Sequence, residues 1–486
     1  MKRLLAVVLL SSAVASGAEG PQIRWESYSN ALFARAKQEH RLVILDLGAV
    51  WCHWCHVMED TTYRDPKVVA LIGAKYIAIK ADQDADPDLS RRYEDYGWPA
   101  TIVFAPDGSE LVKRRGYLPP ERMASMLQEL VDDPTPGPSV QPEIPWQKSN
   151  ALVPGAAQKK ALEQFFAGAY DQKWGGWGTV HKFVDAEPLE YALAEPRYRP
   201  MAKKTLDAAL ALIDPVWGGM YQYSDKLDWS SPHYEKIMSV QTDAIRMYVA
   251  AYRRWKSPAH LEAAQAIARY LAAFMTSPDG AFYTSQDADL DEKTTGHVYY
   301  ASDDAGRRKL GMPRIDKHIY PRENGWAIGA LVELYAVTHD AALLERARRA
   351  AELIETNRRL PDGGYRHGEV DRAGPYLGDS LAMADAYLRL NAVDPKGPWL
   401  SRARAAAAFI DAHFRHPDAG FVTAPAAADS TGVFTRPARI VEENLAVARL
   451  AIRLRDNQLR DAAMRFLTSP TLTEVRPFSP GVLTLP

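Results

Sequence analysis

Five short segments punctuate the later two thirds of this 486-residue chain: KWGGWG (173–178), VWGGMY (216–221), PDGAFY (278–283), PDGGYR (361–366) and PDAGFV (417–422). Glycine just ahead of an aromatic or other apolar residue suits a tight turn into a short extended strand. Between the turns lie long alanine-rich stretches of helical periodicity. One is HLEAAQAIARYLAAFM (260–275), with Leu261, Ala264, Ile267, Leu271 and Phe274 on one face. A turn recurring once per helix pair marks a ring of helical hairpins. The spacing predicts ten to twelve helices in an all-α (α/α)6 barrel over 156–486, with a plain bundle as the alternative.

The segment before it has another texture. RLVILDLGA (41–49) is a near-continuous apolar run, as a strand buried on both faces should be. Helical and strand-like stretches alternate around it, TIVFA and ELVKRRGY flank the turn PDGS, and PPERMASMLQELV closes as a helix. This predicts an α/β domain over 19–133. A proline-rich, aperiodic stretch over 134–155 reads as a stiff linker. The opening MKRLLAVVLLSSAVASGAEG joins two basic residues, an apolar run and small residues, so residues 1–18 read as a signal peptide and the protein as exported, to a periplasm in a bacterium. No later run is long enough to cross a membrane. A formal net charge of −2 with no basic stripe argues against nucleic acid as a partner.

Both cysteines of the chain lie in WCHWCH (51–56), directly after the apolar strand. With no spare pair for a structural staple, a working dithiol is the better reading. Residues three apart on a helical turn face the same side, so their sulfurs can close a disulfide. A helix N-terminus favours thiolate on Cys52, and protonated His53 would add charge. Cys55, one turn in, is expected to be shielded and to resolve the mixed disulfide. Trp51, Trp54 and His56 complete the set that tunes the pair. Cys-x-x-Cys-His also spells haem attachment, with His56 as axial ligand, and the cysteines with His53 or His56 offer soft ligands for copper or zinc. Neither is favoured, because His56 falls inside a helix packed on a sheet and no distal ligand is evident. The expected cofactors are therefore none beyond the redox-active disulfide, with no metal. The order of elements resembles the thioredoxin fold. That resemblance implies that Asp46, six residues before Cys52, is a buried acid exchanging protons with the second cysteine. It also implies that Pro99 of GWP is cis and, with Trp98, holds substrate beside the dithiol by strand addition.

Two aspartate runs, DQDADPD (82–88) and DADLDEK (287–293), have the alternation of a calcium loop. They lack its glycine and bidentate acid, so they read as solvated loops. In the helical half, His181, His233, Glu235, Gln286, Asp287, Asp289, Glu323 and Asn324 lie among aromatic residues in loops expected at one end of the barrel. Carboxylates and amides beside aromatic faces suit saccharide recognition and acid–base chemistry. Read singly, each is equally a packing or solvent-facing residue.

CHWCHVME (52–59), GWP (97–99), GGWGTVHKF (175–183), GGMYQYSDKLDWSSPHYEKI (218–237), FYTSQDADLD (282–291) and ENGWAIGAL (323–331) together resemble the YyaL-like thioredoxin-domain family, which includes the spermatogenesis-associated thioredoxin-domain proteins. The resemblance implies a thioredoxin-like domain followed by a six-hairpin toroid similar to N-acylglucosamine 2-epimerases. The family's Pro-Lys-Phe-Pro is here HKFV, with His181 and Val184 in place of the prolines, and its Trp-Asn-Gly is Glu323-Asn324-Gly325-Trp326. The leading expectation is an exported thiol–disulfide oxidoreductase with a protein thiol or disulfide as client or redox partner. The alternatives are a carbohydrate-active toroid switched by the dithiol, and a non-enzymatic metal-handling or partner-binding protein.

Overall fold

A computed structural model describes residues 22–369 and 374–485. The stretch read as a signal peptide lies outside the described residues. The first half contains β1 (Trp25–Glu26), α1 (Ala31–Glu39), β2 (Leu42–Gly48), α2 (His53–Asp60), α3 (Pro66–Lys75), β3 (Tyr76–Asp82), α4 (Pro87–Tyr93), β4 (Ala100–Phe104), β5 (Glu110–Arg115) and α5 (Pro120–Asp132). The strands form one sheet in the order β1-β3-β2-β4-β5. β1, β3 and β2 run parallel, and β4 and β5 antiparallel to their neighbours. Alternation along β2 sends Val43, Leu45 and Leu47 to a core with Phe33, Ile79 and Phe104, while Ile44 faces one with Met58, Val68 and Val103. Asp46 falls on the Ile44 side, beneath α2. α3 starts where the Asp65 carboxylate accepts N–H bonds from Lys67 (2.9 Å) and Val68 (3.1 Å), with Pro66 in the first turn.

No helix or strand lies between Asp132 and Ala156. The stretch is nevertheless tied down at both ends. Ser139 accepts the Lys113 N–H (2.9 Å), Trp146 stacks on Phe466 at 4.3 Å, and the Gln147 N–H reaches Thr471 (2.9 Å). It is a strap rather than a free spacer.

The second half continues with α6 (Ala156–Gly168), α7 (Ala186–Ala194), α8 (Arg199–Ala209), β6 (Tyr223–Ser224), β7 (Pro232–His233), β8 (Lys236–Ile237), α9 (Met238–Trp255), α10 (Pro258–Phe274), β9 (Ser285–Gln286), α11 (Gly296–Tyr300), α12 (Asp304–Leu310), β10 (Ile315–Asp316), α13 (Pro321–Thr338), α14 (Ala341–Arg358), α15 (Leu377–Val393), α16 (Trp399–Phe414), α17 (Val441–Leu454), α18 (Asn457–Leu467) and α19 (Leu472–Val475). Helices α7, α9, α13, α15 and α17 pack side by side as an inner ring, backed by α8, α10, α14, α16 and α18. The sixth inner place is taken by a 3-10 turn, Pro480–Thr484, beside α7 and α6. There the Gly481 N–H reaches Glu187 (2.7 Å).

The glycine-aromatic segments form small antiparallel bridges, the first following α6 and the others an outer helix: Tyr170–Trp177, Ile213–Met220, Thr276–Phe282, Arg359–Tyr365 and Arg415–Phe421. Glycine is required at 218, where φ is +72° and a Cβ would lie 2.3 Å from the Ala266 carbonyl oxygen. The first turn of the next inner helix then clamps the turn. Gln241 bonds the N–H and C=O of Met220 (both 2.7 Å), Asn324 those of Phe282 (2.8 and 3.0 Å), and Asn444 those of Phe421 (2.7 and 2.9 Å). Two fully buried lysines staple the first two turns, Lys182 to Asp171 (3.0 Å) and Lys236 to Asp214 (2.7 Å).

The sheet domain caps the end of the ring where these loops gather. Phe434, on the 3-10 turn Gly432–Thr435, sinks into the sheet domain's core against Tyr28, Phe104 and Phe33, with ring centroids 4.9, 5.5 and 5.6 Å away. Beside it the Val433 N–H reaches the Gly108 carbonyl (3.1 Å), and Arg92 donates to the carbonyls of Val433 and Arg436 (3.2 and 2.8 Å). Arg476 pairs with Glu94 and Asp95 at 3.0 and 2.7 Å.

Candidate functional site

β2 ends at Gly48 and hands the chain to α2 with Cys52 as its N-cap, so both sulfurs stand at the carboxyl end of the central strand. Cys52 and Cys55 are joined in a disulfide. The Cys55 N–H donates to Cys52 Sγ (3.1 Å), the contact that a thiolate on Cys52 would keep. Asp46 lies 6 % exposed under the helix and accepts a hydrogen bond from the Tyr63 hydroxyl (3.1 Å). Burial pushes its carboxyl up to about 6, although Lys80 opposes this. Trp51 donates to Asp84 (3.2 Å) and meets Trp98 edge-on at 5.8 Å, while Trp54 is exposed, near Tyr117. The Trp98–Pro99 peptide is cis.

The ring covers the face of the dithiol that the sequence assigns to substrate. Cys52 is only 4 % exposed, in a cluster with Ala49, Trp51 and Ile237 against which Trp98 and Val240 pack. Pro99 is buried, whereas Cys55 is partly open. The expectation that Cys55 is the shielded sulfur is therefore corrected, because Ile237 and Val240 of the ring lie over Cys52.

The two histidines of the motif face the ring as well. His53 Nδ1 hydrogen-bonds Asp289, and His56 Nδ1 lies 3.5 Å from Asp287. The bond to Asp289 raises the His53 pKa despite burial, whereas burial lowers that of His56. Burial, with Asp289 and Glu235 nearby, pushes Asp287 up to about 7. Asp289 is held low by His53 and by the Gly296 N–H, which together outweigh its burial. A second row continues outward. His233 Nδ1 is 3.6 Å from the buried Glu235, its Nε2 is 2.7 Å from Asp225, and His181 is 3.4 Å from the other Asp225 oxygen. The carboxylates Glu235 and Asp225 raise the His233 pKa against the effect of burial.

The aspartate runs read as solvated loops are in part interface. Asp84 and Asp287 are 2 % and 4 % exposed. Asp82 accepts the N–H groups of Val50 (2.9 Å), Asp84 (2.9 Å) and Ala85 (3.0 Å), a turn lying directly behind the dithiol. Asp84 faces Arg322 and Asp287 faces His56 across the boundary, while Ala85 and residues 291–293 stay exposed. Gln286 and Asn324 do not join the rim. Gln286, fully buried, bonds the Tyr270 hydroxyl (2.8 Å), and Asn324 spends its amide on the Phe282 clamp. Among the described residues no group of three or more His, Cys, Asp or Glu is placed to hold a metal ion.

Below the cap lies a chamber of about 830 Å3 between the sheet domain and the inner helices, lined among others by Gln83, Trp98, Arg322, Glu323, Trp326 and Glu443. Its floor is laced by pairs joining Arg246 to Glu190 (2.6 Å), Arg449 to Glu190 (2.7 Å) and Arg389 to Asp385 (2.5 Å). Nearer the cap, Arg322 pairs with Glu323 (2.6 Å) and Asp84 (3.5 Å). Four buried polar atoms of the lining, Glu323 Oε2, Gln83 Oε1, Trp98 Nε1 and Arg246 Nε, have no hydrogen-bond partner among the described residues, although Arg246 Nε lies 3.6 Å from Glu333. Of the chamber residues, sequence reasoning singled out Glu323 and Trp98. The helix-borne arginines and acids carry no signal beyond ordinary charge patterning.

Comparison with known proteins follows this division. Residues 10–132 match the Thioredox_DsbH family, described as a protein of unknown function, DUF255. Spermatogenesis-associated protein 20 of Mus musculus is 24 % identical over 308 residues, 55 % of this chain and 39 % of that protein. The disulfide bond reductase DsbH of Chlamydia pneumoniae is 26 % identical over 109 residues, 20 % of this chain and 64 % of that one. The match thus spans well under half the length of the first relative. Cellobiose 2-epimerase from Bacillus thermoamylovorans B4167 superposes with a TM-score of 0.50 over 64 % of this chain and 85 % of its own, at 12 % identity, a likeness of fold alone. The chain is therefore similar over residues 10–132 to the Thioredox_DsbH family and over 55 % of its length to spermatogenesis-associated protein 20, with a thioredoxin-like sheet domain joined to a helical toroid.

Proposed function

We propose that the protein is an exported thiol–disulfide oxidoreductase that cycles the Cys52–Cys55 pair between dithiol and disulfide. The observation that carries this reading is the pair's setting. The two sulfurs are bonded at the N-terminus of α2, with a backbone N–H on Cys52 Sγ and the buried Asp46 carboxyl beneath. In reduction, a substrate thiolate attacks one sulfur and the other leaves as thiolate. Cys52 is the better leaving group, because the helix terminus and that N–H stabilise its negative charge. Asp46, protonated at mildly acidic pH, is suited to exchange a proton with the pair. Export is supported by the opening sequence; no helix among the described residues is long and apolar enough to cross a membrane.

Equilibration of the full chain in graded thiol–disulfide buffers, followed by tryptophan fluorescence, tests the redox reading. The expected result is one two-electron transition, absent in Cys52→Ser. A wild type that shows no transition overturns it. Fusion of the first ~25 residues to a reporter active only after secretion tests export.

A second reading concerns the chamber. The unpartnered oxygens of Glu323 and Gln83 and the Trp98 N–H, in a lining that also carries Trp326, support a neutral polyhydroxyl ligand of saccharide size. Each arginine named in its wall already has a carboxylate, so an anion would add repulsion without a free cation to meet it. A thermal-shift screen of neutral mono- and disaccharides, with Glu323→Ala as control, tests it. No shift with any sugar removes the reading.

A further inference from the structure

We propose that, with the two halves docked, the sulfur that exchanges with substrate is Cys55, and that the substrate is a small amino-acid-derived thiol or disulfide carrying a free carboxylate. This assignment rests on the redox reading above and names the substrate of the same site.

The argument is one of access. Ile237, Val240 and Trp98 close over Cys52, and Pro99 is buried, so neither the usual nucleophile nor its neighbouring strand edge can receive a polypeptide segment. The opposite flank of the disulfide is open. Cys55 lines a cavity of about 660 Å3, together with Asp46, His56, Glu59, Lys80 and Arg314. That volume suits a small molecule rather than a folded client. Glu59 is paired with Lys80 (2.9 Å). Arg314 is exposed and makes no ion pair among the described residues, so it can meet a substrate carboxylate, while Glu26, Asp82 and Asp86, which also line the cavity, suit the ammonium group of an amino acid.

The chemistry fits this approach. A thiolate RS− attacks Cys55 Sγ; the Cys55–S–R bond forms, the Cys52–Cys55 bond breaks, and Cys52 leaves as thiolate on the helix terminus. A second RS− attacks the substrate sulfur of the mixed disulfide. RSSR departs and Cys55 leaves as thiolate, taking its proton through Asp46. Two thiols are thereby oxidised to one disulfide and the protein disulfide is reduced to a dithiol. With RSSR in excess the same steps run backwards.

The test uses full-length Cys52→Ser and Cys55→Ser mixed with cystine, with adducts followed by mass. Cys52→Ser, which keeps Cys55, is expected to form its mixed disulfide at least about tenfold faster. In the reduced wild type, a brief pulse of a small alkylating agent is expected to mark Cys55 first. Arg314→Ala is expected to lower the rate ratio of cystine to uncharged hydroxyethyl disulfide about fivefold. Faster reaction at Cys52, or reduction of insulin as fast as of cystine, overturns the proposal while the buffer titration still shows its transition. Loss of that transition as well overturns the redox reading itself.

Discussion

Two sets of acidic residues in the toroid look alike in sequence and differ in setting. The rim acids Glu235, Asp287 and Asp289 face imidazoles, two of them from the dithiol loop, across the domain boundary. The chamber acids Glu190, Glu323 and Asp385 face arginines of the ring itself. Imidazole–carboxylate pairs change charge near neutrality, whereas arginine–carboxylate pairs hold theirs across the whole working range. The rim can therefore respond to its surroundings, and the chamber wall is electrostatically fixed. The loop residues that stand out in sequence belong mostly to the responsive set.

The largest effect is expected where a conspicuous polar residue belongs to neither set. Asn324→Ala leaves the Phe282 N–H and C=O unpaired in the core and should cost about 2–4 kcal/mol, read by chemical denaturation. A near-neutral result would return Asn324 to the list of ligand residues.

Next in size is a pH effect. Asp287 and Glu187 have pKa values pushed by burial to about 7 and about 8, above their unfolded values, and that of His53 is raised by its bond to Asp289. Each holds a proton more tightly folded than unfolded. Stability thus falls as pH rises toward and through those folded values, and Tm should be a few degrees lower at about pH 8.5 than at about pH 6.5. His56, whose pKa is lowered, acts in the opposite sense only below about pH 6.5. Asp287→Asn should flatten the rim's share of the trend; an unchanged slope would place the titration elsewhere.

The smallest expected effect sharpens the division. Asp289→Asn should lower the His53 pKa, measured by NMR, because it removes the carboxylate that holds the ring charged. It should leave any saccharide-induced thermal shift intact. A lost shift would mean that rim and chamber form one site.

The fold was readable because its signals are local. The β2 run, the PDGS hairpin and the glycine-aromatic turns each carry their own geometry. The site was readable at WCHWCH for the same reason. What sequence reasoning missed depends on how the halves meet. Asp84 and Asp287 read as solvated because nothing local announces that another domain covers them. Cys52 read as the open sulfur because Ile237, its cover, lies 185 positions away. Gln286 and Asn324 read as ligand groups because a buried amide clamping backbone has the same composition as one binding sugar.

The sinking of Phe434 into the sheet domain has one more consequence. Residue pairing of Val43 with Phe104 places that contact at the start of β2, and the dithiol follows the strand's far end. The two halves are thus fastened at both ends of one sheet by unlike means: at one an oily peg indifferent to acid or salt, at the other a clasp of imidazoles and carboxylates. Mild alkali takes charge from the clasp as His53 loses its proton, whereas the peg holds no charge and the arginine pairs beside it keep theirs, so the sulfurs lie at the end of the sheet whose fastening depends on pH.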